Sequence, residues 1–148
     1  MSLLLPPASP PPSRRYRFAA PNQPPSAAIL RDTVGAILRV LDLGVLLDDA
    51  RLCTSETVTN VHRHTGADTV VVDVLLGPGR VTVRVHDDDP RALPELRPPG
   101  PGGVGGRGLH LVDDLSDRWG ATRCGGVVPT GKIVWFAFDL ASRGVVVA

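Results

Sequence analysis

Two residue types that are scarce in this chain stand one helical turn apart. The 148 residues include two glutamates and two asparagines, and Glu56 and Asn60 both fall in the stretch SETVTNVHRHTGA. On a helix, positions i and i+4 share a face, and Arg63 and His64 follow one turn further along that side. A glutamate can take the proton of an attacking hydroxyl, an asparagine oxygen suits Mg²⁺, and basic groups meet phosphate oxygens. Taken alone, the same spacing also fits a solvated helix face.

A group of carboxylates ends the second candidate segment. VTVRVHDDDP alternates valine with polar residues, as a half-buried strand does, and Asp87 is the first of its three aspartates. A carboxylate at the end of a strand can accept a hydrogen bond from an exocyclic amine, such as that of adenine. A polar turn after the strand explains the same residues without any ligand.

The third candidate is the glycine-rich stretch GGVGGRGLHLV, in which Arg107 stands among Gly105, Gly106 and Gly108. Glycines before a helix let the backbone approach phosphates, and the helix N-terminus supplies unpaired N–H groups and the positive end of a dipole. The stretch is neither a P-loop nor a dinucleotide-binding fingerprint, because the lysine of the first and the preceding strand of the second are missing. A flexible loop is the alternative interpretation.

The elements that would position these residues follow from periodicity and turn residues. Residues 14–20 are predicted to form a short strand, and a helix then ends at Gly44, a typical C-terminal glycine. The helix that carries the polar set is predicted to stop at Gly66. Two valine-rich strands follow as a hairpin, residues 88–107 are loop by composition, and a short helix with two strands closes the chain.

Both long helices show a stripe that should face the core. In the first helix the predicted stripe includes Ile29, Val34, Ile37, Leu38 and Leu41. In the second helix it runs through Leu46, Ala50, Cys53, Thr57 and Val61. Because helices and strands come in blocks, the predicted fold class is α+β. We expect a two-layer sandwich with a mixed, mostly antiparallel sheet and helices on one face.

Length and composition predict one globular domain. Residues 1–13 are proline-rich and are expected to be a disordered tail, residues 14–140 the domain, and residues 141–148 a C-terminal tail. A net charge of +1 gives no footprint for direct nucleic-acid binding, and no apolar run approaches the ~20 residues of a membrane span. Two cysteines without metal-ligand spacing predict neither a disulfide framework nor a metal site. A cytoplasmic location is expected.

The order of the three candidate segments is more specific than any one of them. A helix with E-x-x-x-N, a valine-rich hairpin ending in aspartate, and a glycine-rich loop opening a helix resemble the GHKL (Bergerat) nucleotide-binding fold of gyrase-type ATPases and histidine kinases. More narrowly, SETVTNVHRH, VRVHDDDP and GGRGLHLVDDLSDRWG resemble the N box and the two G boxes of small anti-sigma switch kinases of actinobacterial type. The resemblance covers about residues 14–140.

The resemblance implies a role for each candidate residue. Glu56 would be the general base, Asn60 would hold Mg²⁺ against the phosphates of ATP, and Asp87 would bind the adenine amine. The other positions that it implies at the nucleotide are Arg63, His64, Asp89, Gly105, Gly106, Arg107, Gly108, Leu109 and Thr130. Lys132 would be at most an outer contact.

Two departures from the family pattern bear on nucleotide affinity. The first G box usually reads D-x-G-x-G, whereas Asp89 and Arg91 stand here at the glycine positions. Glycine at those positions permits close backbone approach, and an added carboxylate repels a triphosphate. The closing G-T of many relatives is also replaced, by Thr130-Gly131-Lys132-Ile133.

Three functions follow from the resemblance as expectations. The first is an anti-sigma factor with Mg-ATP-dependent serine-protein kinase activity on an antagonist protein, with a sigma factor as the second partner. The second is a nucleotide-dependent binding module without kinase activity, and the third is a protein-binding module that no longer binds nucleotide. Homodimerisation is expected from the resemblance alone. A stand-alone histidine kinase and a gyrase-like motor are disfavoured because no phospho-accepting helix pair or transducer domain is evident in the sequence.

Overall fold

The computed structural model describes residues 14–91, 93–94 and 107–146. The elements are β1 (Arg14–Pro21), α1 (Ser26–Val40), α2 (Leu47–His64), β2 (Thr69–Gly77), β3 (Arg80–Asp87), α3 (Arg107–Leu115), β4 (Arg118–Cys124) and β5 (Gly131–Asp139). Short 3₁₀ turns at Gly44–Leu46 and Ala141–Arg143 precede α2 and follow β5. The predicted element order is confirmed. The predicted tail at residues 1–13 and most of the predicted loop at residues 88–107 lie outside the described residues.

The described strands form one open sheet in the order β1-β2-β3-β5-β4. Every pairing between neighbouring strands is antiparallel, so the predicted α+β class is confirmed. β2 and β3 form the predicted hairpin, and the connection from β3 to β4 crosses over the position of β5, which lies between them and pairs with both. This crossover brings the start of β5 beside the end of β3, where the predicted adenine-binding carboxylate lies. No described helix is long and apolar enough to span a membrane.

The core lies between the sheet and the helices. All five residues of the stripe predicted for α2 are buried, which confirms its orientation. Burial raises the pKa of the Cys53 thiol to about 12, with a smaller contribution from the nearby Asp49 carboxylate, so Cys53 is a neutral core residue. In α1 the predicted stripe holds at Val34 and Leu38, which are buried, but at its start Leu30 is buried and Ile29 is 56% exposed. The prediction for Ile29 was wrong because both residues are apolar and adjacent, and only packing on the sheet chooses between them.

A partly buried ion pair lies on the face of the sheet that points away from the helices. Arg17 on β1 faces Asp73 on β2 and donates to both carboxylate oxygens, at 2.7 and 2.9 Å. The Asp73 side chain is fully buried, and Arg17 stays half exposed. Burial acts to raise the pKa of Asp73, but the hydrogen bonds and charge of Arg17 outweigh it, so the pKa lies below its ordinary value.

This ion pair predicts a stability loss in acid. Because the pKa of Asp73 is lower in the folded state, its contribution is complete above the ordinary value of 3.8 and is lost as the pH falls through the folded-state pKa. Asp73→Asn should reduce the free energy of unfolding at pH 7 by about 1.5–3 kcal/mol and flatten its decline below pH ~4. Urea unfolding between pH 2 and 7 measures both quantities. Asp114→Asn, a carboxylate removed from the exposed face of α3, is the control, and an equally steep acid decline in Asp73→Asn would contradict the assignment.

Candidate functional site

α2 places the predicted catalytic and magnesium-binding side chains beside the core. Glu56 and Asn60 are half-buried, and they flank the buried stripe through Cys53, Thr57 and Val61. Among the described residues, neither side chain has a hydrogen-bond or ion-pair partner, and no buried side-chain polar atom is left unsatisfied. Their polar atoms therefore remain accessible at the border between helix and solvent.

The end of α2 separates exposed basic groups from a fixed turn. Arg63 and His64 lie in the last turn and are exposed, so both can reach a ligand or solvent. Thr65 then ends the helix, with its backbone N–H and its hydroxyl both donating to the carbonyl oxygen of Val61. The N–H of Gly66 donates to Oδ2 of Asp89 at 2.9 Å. This contact ties the end of α2 to the segment that follows β3.

Asp87 is buried and already has a cationic partner. It lies directly opposite Lys132 in the β3–β5 register, and directly opposed residues point to the same face of a sheet. That face carries Val85 and Val134 next in line and is the one that packs on the helices. The ammonium of Lys132 donates to Oδ1 of Asp87 at 3.0 Å and to the carbonyl oxygen of Asp89 at 2.6 Å.

Asp89, at a position where the G-box resemblance implies glycine, is hydrogen-bonded within its own loop and to the end of α2. Its carboxylate accepts from the N–H of Gly66, from the N–H of Arg91 and from the Arg91 guanidinium. These hydrogen bonds, that of the Arg91 side chain first, hold the pKa of Asp89 well below its ordinary value. Its N–H in turn donates to Oδ1 of Asp87 at 2.8 Å. The charged side chain of Asp89 therefore links the loop after β3 to the end of α2. Its predicted contact with the nucleotide stays a prediction.

Arg123 on β4 and Gly131 on β5 also lie against the end of β3 and the loop that follows it. Arg123 donates to the carbonyl oxygens of Pro90 and Arg91 at 2.9 and 3.0 Å. At the start of β5, a Cβ on Gly131 would collide with the carbonyl oxygen of Asp87. Glycine is required there because the two strands approach so closely, and this approach brings Lys132 within reach of Asp87.

The remaining predicted residues fall on α3 and on the turn before β5. Arg107 and Gly108 form the start of α3, and Leu109 is buried together with Val112, which fixes the helix against α2. Thr130 is exposed, and its N–H donates to the carbonyl oxygen of Cys124. Gly105 and Gly106 lie outside the described residues. α3, which carries Arg107, Gly108 and Leu109, packs against α2, the helix that carries Glu56 and Asn60.

The side chains present are compatible with a nucleotide and a magnesium ion. Asn60 offers an amide oxygen that no described residue occupies, and such an oxygen is a suitable ligand for Mg²⁺ when phosphates and water complete the coordination. Among the described residues, no three His, Cys, Asp or Glu side chains cluster as a metal site. The sequence analysis gave Lys132 at most an outer contact, whereas the structure buries it against Asp87. The alternation along β5 did indicate that Lys132 faces the core, because Lys132 stands two positions before the buried Val134 and so shares its face.

Comparison with known proteins agrees with the architecture. The family model described as "Histidine kinase-like ATPase domain" matches residues 20–138. The uncharacterized protein SCO4941 of Streptomyces coelicolor is 42% identical over 76 residues, which cover 48% of this chain and 70% of that protein. The crystal structure of the RsbU and RsbW domains of Rv1364c from Mycobacterium tuberculosis has a TM-score of 0.60 at 18% identity and is matched over 86% of this chain.

The chain spans 32% of the length of that solved chain, so this likeness concerns the fold. The family match covers the helix that carries Glu56 and Asn60 and both segments that resemble G boxes. Membership of this family implies a nucleotide-binding domain. The protein therefore belongs to the histidine kinase-like ATPase domain family.

Proposed function

We propose that the protein is an ATP-binding regulator of the anti-sigma type, which transfers a phosphoryl group from Mg-ATP to a serine of an antagonist protein. The observation that carries the proposal is the pair of half-buried side chains of Glu56 and Asn60 on one face of α2, which have no hydrogen-bond partner among the described residues. A half-buried polar side chain that has no partner among the described residues is available to bind a ligand. The solved RsbU and RsbW domains, which share the fold, support the regulatory class.

The chemistry assigned to Glu56 is general-base catalysis. Its carboxylate takes the proton of the serine hydroxyl while the serine oxygen forms a bond to the γ-phosphorus and the bond from that phosphorus to the ADP oxygen breaks. ADP leaves, and the partner carries the phosphoserine. A free carboxylate is required for this step, and Glu56 has one among the described residues.

Asn60 is assigned to the metal and the phosphates. Asn60 would hold Mg²⁺, which would supply positive charge to offset part of the charge of the phosphates. Arg63 and His64, exposed in the next turn of α2, can donate to the same anionic groups. The start of α3 at Arg107 and Gly108 adds a helix N-terminus, which favours phosphate.

Calorimetric titration of Mg-ATP into wild type and Asn60→Ala tests the nucleotide site. Asn60→Ala should weaken binding at least about tenfold, because an interaction with a charged group is worth about 1.5–3 kcal/mol and 1.4 kcal/mol is a factor of ten. Ser55→Ala is the matched control, since Ser55 is a half-buried polar residue of the same helix that is not assigned to the site. Equal affinity of wild type and Asn60→Ala would remove Asn60 from the site, and no binding to wild type would remove the proposed function.

A binding module without kinase activity is the second candidate. The specific observation in its favour is the ion pair of Asp87 with Lys132, which engages the carboxylate assigned to the adenine amine. In this form the domain would sequester a sigma factor or an antagonist with little or no turnover. Mass-spectrometric detection of phosphoserine on a candidate antagonist separates the two functions.

A further inference from the structure

Lys132 is an unusual group to find at the base end of the site. It is the only lysine of the chain, and its side chain is 5% exposed. A buried ammonium is costly unless it is paired and hydrogen-bonded. Both conditions are met here, because Lys132 donates to Oδ1 of Asp87 and to the carbonyl oxygen of Asp89.

The hydrogen-bonding capacity of this pair is only partly used. Oδ1 of Asp87 accepts from Lys132 and from the N–H of Asp89, whereas Oδ2 has no hydrogen bond from any described residue. An ammonium has three N–H donors, and the described contacts of Lys132 use two. The described residues therefore leave one acceptor and one cationic donor side by side, on the helix-facing side of the sheet.

This arrangement alters which base edge fits. A carboxylate alone favours a donor such as the adenine 6-amine. An ammonium about 3 Å from the carboxylate cancels much of its negative potential and repels the amine hydrogens. A 6-carbonyl accepts from the ammonium instead, and the neighbouring ring N1–H of a 6-oxopurine donates to Oδ2.

We infer that Lys132 is a specificity-determining residue that removes the preference for adenine, so that the site binds 6-oxopurine nucleotides at least as well as ATP. The inference rests on the proposed function, because it concerns the base end of the same nucleotide site. Lys132 and Asp87 together would determine whether adenine or a 6-oxopurine is bound, whereas Asp87 alone would favour adenine. The ligand class it names is purine nucleoside triphosphates with a carbonyl at position 6.

The test compares Mg-ATP with Mg-ITP, two nucleotides that differ only at the edge in question. ITP carries a 6-carbonyl and an N1–H where ATP carries the amine and an unprotonated N1. Calorimetry should give a ratio of dissociation constants, ITP to ATP, of about one or less for the wild-type chain. In Lys132→Met, which keeps the length of the side chain and removes the charge, the ratio should rise at least tenfold.

A second variant and a control keep the result interpretable. Lys132→Gln retains an N–H donor for Asp87 without the charge and should show the same rise if Lys132→Met does not fold. Arg84→Met removes a cation from β3 on the opposite face of the sheet and should leave the ratio at the wild-type value. Thermal unfolding followed by circular dichroism reports whether each variant is folded.

The possible outcomes separate this inference from the proposed function. A wild-type chain that binds ATP at least tenfold more tightly than ITP overturns the inference and leaves the nucleotide site intact. The same follows if the folded Lys132 variants keep the wild-type ratio. No binding of either nucleotide to any of the proteins overturns the proposed function and the inference together.

Discussion

Replacement of Glu56 by glutamine should lower phosphoryl transfer by roughly 10²–10⁴-fold, the usual contribution of a general base, and should change ATP affinity by no more than a few-fold. Glutamine has nearly the same shape and cannot take the serine proton. Glu56 has no hydrogen-bond partner among the described residues, so the exchange breaks no internal contact. Transfer of labelled phosphate to an antagonist protein under single-turnover conditions measures the chemical step, and calorimetry measures binding.

The matched control for Glu56→Gln is Asp48→Asn. Asp48 is an exposed carboxylate in the first turn of the same helix, so its loss tests whether any negative charge on α2 matters. It should leave both measurements at the wild-type level. Unchanged phosphoryl transfer in Glu56→Gln would remove the base assignment, whereas equal loss of binding and transfer would place Glu56 in nucleotide binding.

The sequence was sufficient for those parts of the fold that depend on local periodicity. Cys53 and Thr57 stand at helical spacing in the stripe of α2, and both are buried. Val83 and Val85 alternate with polar residues in β3, and they too are buried. Each pattern lies within one helix or strand, so it can be recognised in the amino-acid sequence alone. Ile29 shows the limit, because choosing between two adjacent apolar residues requires the sheet against which the helix packs.

The ion pair of Asp87 and Lys132 could not be predicted in the same way. Its members are 45 residues apart and meet only because β5 lies between β3 and β4 and pairs with β3. Strand pairing of this range is set by the topology of the whole sheet. A lone lysine near a strand end is usually exposed, so the sequence favoured an outer contact.

The loop after β3 shows why a family pattern can be altered without loss of the fold. Glycine at positions 89 and 91 would matter if the backbone needed a positive φ there, but Asp42 is the only non-glycine residue with positive φ in the described part of the chain. Asp89 instead fixes the loop through Gly66 and Arg91. Hydrogen bonds of the Asp89 side chain thus hold this loop in a conformation that does not need glycine at positions 89 and 91.

Asp87→Ala should reduce the free energy of unfolding by about 3–5 kcal/mol, the usual cost of leaving one partner of a buried ion pair without the other. The ammonium of Lys132 would keep only the carbonyl oxygen of Asp89 in a site where its side chain is 5% exposed. Urea unfolding at pH 7 measures the loss. A decrease below about 1 kcal/mol, as for an exposed pair, would show that the pair is solvated in solution.

A second change separates the structural role of Asp87 from its role toward the nucleotide. In Asp87→Ala/Lys132→Met the uncompensated cation is gone, so much of the lost stability should return, because replacing a whole buried pair by apolar side chains is often close to neutral. The double-mutant cycle gives the interaction energy directly. If the stable double variant still fails to bind purine nucleotides, Asp87 and Lys132 act on the base itself, since the loss can no longer be attributed to unfolding. If it binds them like wild type, the pair only closes the end of the sheet, and base recognition belongs to other residues.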